Sequence, residues 1–153
     1  MKKRPEGGNP PKGGNPPKGG NTPKGGNTPY IEKLTSLMER LRGEDGCPWD
    51  RAQTLQSIIP FIIEETYEVV AAIDENSDES ILEELGDLLF QIIFICQIKK
   101  EAGAFGLAEV IDQSHEKMIR RHPHVFGDAK ATTPNEVLAH WDEIKKEEKK
   151  ARK

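Results

Sequence analysis

From Tyr30 onward, apolar and polar residues alternate with a helical period, and no stretch has the two-residue alternation of a half-buried strand. Ile31, Leu34, Leu37, Met38 and Leu41 recur at spacings of three and four, giving a first helix one apolar face. Thr28 and Pro29 read as its N-cap and first position. Gly43 to Gln53, with Gly43, Gly46 and Pro48, reads as a loop. Thr54 caps a second helix to about Asp74, with Pro60 near its start as a kink point. After a turn over Asn76–Asp78, capped by Ser77 or Asp78, a third helix covers about Glu79 to Ala102. It is apolar nearly all round from Leu85 to Ile98, so it needs neighbours on several sides. A fourth helix is expected over Leu107–Arg121, then a loop, RHPHVFGDA. Thr133, Pro134 and Glu136 form a capping box that opens a fifth helix, which ends in the charged run KKEEKKARK. The prediction is an all-α bundle of five helices, assembled as a two-fold dimer with the third helix at its centre.

The first 29 residues differ. Residues 5–28 are four copies of a six-residue unit, PEGGNP to PKGGNT, with no apolar side chain larger than proline. Such a unit cannot build a core, so 1–29 is expected to be a disordered tail and 30–153 the helical domain. The tail holds six Lys/Arg and one Glu, so the helical part carries about −9 of the total charge of −4. That balance argues against binding nucleic acid through bulk charge. Two cysteines, Cys47 and Cys96, are too few for a disulfide scaffold, and Cys96 reads as a small core residue. No apolar segment follows MKKR, and LLFQIIFICQI is too short to span a bilayer, so a soluble, cytoplasmic protein is expected.

Five acids interrupt the most apolar helices: Glu64, Glu65 and Glu68 on the second, Glu84 and Asp87 on the third. Spacings of three and four put each set on one face, and a short turn makes the helices antiparallel neighbours. Two like charges about 4 Å apart repel by roughly 4 kcal/mol at an effective dielectric near 20. Multivalent cations relieve this, and magnesium prefers such oxygens and bridges phosphates. Taken singly, any of these acids reads as a solvated helix charge, as Glu83 does. Zinc is disfavoured by the lack of a CxxC pair, and a di-iron centre by the lack of Glu-x-x-His motifs, which Asp112 and His115 imitate only imperfectly. His122 and His124, flanking Pro123, read as loop-ordering residues.

EETYE followed by EELGD resembles the EExxE…ExxD signature of the MazG family of nucleoside triphosphate pyrophosphohydrolases. CPWD, LEELGDLLFQ, KMIRRHPHVFG and WDEIKKEEK extend the match over about Tyr30 to Lys149. The resemblance implies an all-α NTP-pyrophosphatase fold, assembled as a dimer or dimer of dimers. It implies magnesium-dependent hydrolysis (manganese as a substitute) of a nucleoside triphosphate to the monophosphate and pyrophosphate. Glu64, Glu65, Glu68, Glu84 and Asp87 would be the metal ligands, with Glu64 or Glu65 also orienting or deprotonating the attacking water. Lys117, Arg120, Arg121, Trp141 and Lys145 would meet the nucleotide. Arg120 and Arg121 also suit a helix C-terminus as plain charges, and Trp141 and Trp49 also suit core packing. The competing function is a helical dimer that binds nucleotide or metal without turnover. A specialist for deoxynucleotides or phosphoribosyl-ATP is a third reading, less favoured by RRHPHVF and WDEIKKEE. Many MazG members carry two such domains in tandem, and the repeat tail matches nothing in the family pattern.

Deleting residues 1–28 is expected to leave turnover nearly unchanged. Comparing rates of pyrophosphate release from the full and shortened chains checks this; a large loss of rate would contradict it.

Overall fold

The computed structural model describes residues 30–151. Thr28, Pro29 and the repeat tail lie outside the described residues. Seven helices follow in order among those described: α1 (Tyr30–Arg42), α2 (Pro48–Ala52), α3 (Leu55–Asp74), α4 (Asp78–Glu101), α5 (Leu107–Arg121), α6 (Pro123–Phe126) and α7 (Pro134–Ala151). No strand occurs among the described residues, so the all-α expectation holds.

Five of these helices are the ones the periodicity predicts, and α2 and α6 are additions. Both short helices begin at a proline, Pro48 and Pro123. Both segments read as loops from the sequence, but at a first helical position proline's missing N–H costs nothing and its fixed φ suits the turn. Thr54 caps α3 as expected, in a reciprocal pair with Ser57. Pro60 forfeits one backbone bond, yet α3 runs through it without a break. Ser77 caps α4 by accepting from the Ser80 N–H, after Asn76 turns the chain at φ 54°. Gly103, at φ 69°, turns the chain just beyond α4, a conformation glycine adopts freely. The Glu136 carboxylate accepts from the Thr132 and Thr133 N–H groups to open α7, as the capping-box pattern implies.

The core is small and sits where α1, α3 and α4 meet. Met38, Ile58, Ile93 and Phe94 are fully buried, flanked by Leu34, Phe61, Leu89, Phe90 and Ile98. Cys96 is buried and unpaired, in keeping with its reading as a core residue. The α3–α4 hairpin is the largest contact, α1 and α5 pack on α4, and α7 packs on α5 rather than on α3 or α4. Leu37 was expected on the buried face of α1 but is exposed. No residue of α5 or α7 is fully buried: α5 reaches the core through Leu107, and α7 is tied to α5 by ion pairs of Glu148 with Arg120 and Arg121.

One such polar grip fastens α1, α2 and α4. The Arg42 side chain, 8% exposed, donates to Glu101 at 2.7 Å and to the carbonyls of Asp50 and Gln53. Its guanidinium carbon also lies 5.4 Å from the centre of the Phe94 ring. Gly46 comes so close to the Leu41 carbonyl that a Cβ would not fit, which lets the α1–α2 connection turn tightly. Arg42 holds Glu101 below the usual carboxylate range. Arg42→Met is expected to cost about 2–3 kcal/mol, because it strands two carbonyls and a carboxylate. Glu101→Gln should cost less, under about 1 kcal/mol, since Glu101 itself is over a third exposed and Arg42 keeps its two carbonyl partners. Urea unfolding of the two variants measures the difference.

Candidate active site

The α3–α4 hairpin places the acids by the same register that buries its apolar residues. One carboxylate oxygen each of Glu65, Glu84 and Asp87 lie within 4.8 Å of one another. Glu68 stands beside them, close enough to act on both Glu65 and Glu84. Burial, then the charges of Asp87 and Glu68, push the Glu65 carboxyl up from 4.5 to about 7. Burial, then Glu68 and Asp87, push Glu84 upward as well. The Glu65 Oε2 atom is buried and has no hydrogen-bond partner. A buried, unpaired carboxylate oxygen facing three other acids is costly unless a cation joins it. The donor set is all carboxylate oxygen, which suits a hard divalent ion such as magnesium and not zinc.

Of the five acids expected there, Glu64 stands apart. It is exposed on α3 and contributes no oxygen to the close set. Glu83 is exposed, as its reading as a solvated charge required.

The basic and aromatic candidates form a second group, where α5 meets α7. Arg120 and Arg121 do not stand free: both pair with Glu148, at 2.6 and 2.7 Å. The Arg121 guanidinium carbon lies 5.3 Å from the centre of the Trp141 ring, and the His122 ring meets Trp141 edge-on at 5.1 Å. Trp141 is therefore fixed between Arg121 and His122. Lys117 is half-buried on α5 and Lys145 exposed on α7, and neither has an ion-pair partner among the described residues. Trp49 packs edge-on against Phe61 at 5.7 Å, an ordinary packing role.

Sequence reasoning missed Glu148, His122 as a packing partner, and His140. The His122 Nδ1 lies 2.6 Å from the Met118 carbonyl, so that nitrogen carries the proton. His124 and His140 each have a buried Nδ1 without a partner. Glu148 follows Trp141 by seven residues, two helical turns, and so shares its face. That spacing was the available signal, hidden in a run of charges that reads as solvated.

The described fold is an all-α domain built round a carboxylate-lined helix pair, with a cationic and aromatic cluster on its outer helices. Residues 53–126 match the family described as MazG nucleotide pyrophosphohydrolase domain. The chain belongs to the MazG family. It is 50% identical over 122 residues to the nucleoside triphosphate pyrophosphohydrolase/pyrophosphatase MazG of Thermotoga maritima, covering 80% of this chain and 46% of that protein. It is 47% identical over 120 residues to the nucleoside triphosphate pyrophosphohydrolase of Escherichia coli K12, covering 78% of this chain and 46% of the relative. The chain thus spans about half the length of these curated relatives. A crystal structure of a mazG-related protein from Thermotoga maritima superposes with a TM-score of 0.64 at 28% identity, covering 75% of this chain and 98% of that one.

The raised Glu65 pKa fixes a sign for the pH dependence of stability. Between 4.5 and about 7 the folded protein binds more protons than the unfolded chain, so stability falls as pH rises through that window. Discounted for solvent screening, the loss is on the order of 1–2 kcal/mol in chelator-treated protein. Glu65→Gln is expected to remove most of this slope, and magnesium to restore stability above pH 7. Thermal melts from pH 5 to 8, with chelator or magnesium, measure both.

Proposed function

We propose that this chain hydrolyses nucleoside triphosphates to the monophosphate and pyrophosphate, with magnesium as cofactor and manganese as substitute. The single observation that carries this reading is the carboxylate set of Glu65, Glu84 and Asp87, joined by Glu68, with one buried oxygen left unpaired. These four residues would hold the ion or ions. Bound magnesium would neutralise the carboxylates, screen the triphosphate and polarise the phosphorus under attack. Glu64, exposed and outside the close set, is free to orient the attacking water and take its proton. The water oxygen bonds to phosphorus, the anhydride bond between the α- and β-phosphates breaks, and pyrophosphate leaves with the electron pair.

Lys117, Arg120, Arg121 and Lys145 would meet the phosphate chain, and Trp141 would pack beside the nucleoside. Within one chain these residues sit on α5 and α7, and α7 does not pack on the helices that carry the acids. A second copy is the natural way to unite the two groups. Support comes from a bare apolar stripe: Ile59, Ile63, Tyr67, Val70 and Ile73 on α3 are all at least half exposed, as are Leu82 and Leu85 on α4. Monomers rarely leave so continuous an apolar surface in water. The proposed assembly is a two-fold dimer through this face, with substrate between acids of one protomer and cations of the other. No helix among the described residues is long and apolar enough to cross a membrane.

The test is pyrophosphate release from a panel of triphosphates with magnesium. Glu68→Gln and Asp87→Asn are each expected to lower kcat by at least about a hundredfold. Triphosphate that binds tightly without turnover would instead establish a non-catalytic nucleotide-binding dimer. Ile63→Glu is expected to shift the sedimentation coefficient toward monomer and to lower turnover with it. A chain that is monomeric and fully active at micromolar concentration would exclude the shared site.

A further inference from the structure

Arg120 and Arg121 are adjacent, so their guanidinium charges repel and each side chain samples many rotamers. One carboxylate settles both problems. The Glu148 Oε1 accepts from the Arg120 Nε at 2.7 Å and pairs with its Nη2 at 2.6 Å, while Oε2 accepts from the Arg121 Nη2 at 2.7 Å. The bridge reaches from α7 back to the end of α5, 27 and 28 residues away in sequence. Glu148 and Arg121 are well covered, at 14% and 16% side-chain exposure, whereas Arg120 stays half exposed. The two arginines hold the Glu148 carboxyl down at about 2, so it is ionised at any pH the protein meets.

Arg121 is held once more, against the Trp141 ring, while its own Nε is buried without a partner. A cationic donor left unpaired inside a covered site favours the arrival of an anionic acceptor. The triad has two positive charges and one negative. It surrenders half the charge of the arginine pair and gains a fixed geometry in return.

We propose that Glu148 is a positioning residue, which locks Arg120 and Arg121 side by side so that their remaining N–H edges form a rigid clamp for a phosphate chain. This rests on the pyrophosphohydrolase reading above for the identity of the ligand. It goes beyond that reading in giving an acid, inside a site that must attract anions, a constructive role. The opposite possibility is that Glu148 occupies the phosphate position and competes with substrate; the two differ in sign.

The experiment uses the full chain and its Glu148→Gln and Glu148→Asp variants. Calorimetry reads binding of inorganic tripolyphosphate, and steady-state assays read KM and kcat for the most active triphosphate. Glu148→Gln is expected to weaken tripolyphosphate binding and raise KM by about tenfold, with kcat changed far less, because the clamp loses charge-assisted anchors. Glu148→Asp keeps the charge and should recover part of the affinity, which a mere helix brace would not require; it also serves if the glutamine variant fails to fold. Unchanged binding in a variant with a lowered melting temperature would overturn the proposal. Tighter binding would overturn it in favour of competition. Should the wild-type chain turn over no triphosphate, the function proposed above fails, yet weakened tripolyphosphate binding by Glu148→Gln would still uphold the clamp.

Discussion

The packing of α3 against α4 is the constraint on which the rest depends. Its register buries Ile58, Ile93 and Phe94, and the same register forces Glu65, Glu68, Glu84 and Asp87 together. The apolar contacts favour closing the pair, and the carboxylates oppose it. A cation held by these carboxylates would relieve that opposition, so ion binding and folding stability would be coupled in one structural element.

Away from the hairpin the apolar contacts thin out, and charged groups take over. Arg42 ties α1 and the short α2 to the end of α4 through Glu101 and two carbonyls. Glu148 ties α7 to α5 through two arginines. Both grips pair planar guanidinium groups with carboxylates, which gives direction as well as attraction. The grips differ in purpose. Arg42 is covered and packed on Phe94, a brace with no free edge, whereas Arg120 keeps half its surface in water, where a ligand can reach it.

The distribution of exposed surface completes the picture. The apolar stripe of α3, from Ile59 to Ile73, lies away from the α4 contact, so one helix serves the core on one side and an open apolar face on another. The expectation that α4 needs neighbours on several sides is met by α1, α3 and α5. Leu82, Leu85 and Ile92 of α4 remain exposed even so.

The five long helices were legible in the chain because periodicity, N-caps and the capping box at Thr133 act over a few neighbouring residues. The acid cluster was legible for the same reason: spacings of three and four fix a face, and a short turn fixes which helix lies opposite. Proline's local ambiguity hid α2 and α6, since the same residue breaks one helix and starts another. Spacing alone could not separate Glu64 from Glu65, because one step of rotation about a helix decides whether a carboxylate meets the seam or the solvent. Nor could it find the bond from Glu148 to Arg120 and Arg121, which joins residues nearly 30 apart and exists only once α7 has docked on α5. Local chemistry thus set the elements and their polar faces, and the docking of distant helices chose which charges touch, because pairing energy depends on distances that no linear pattern contains.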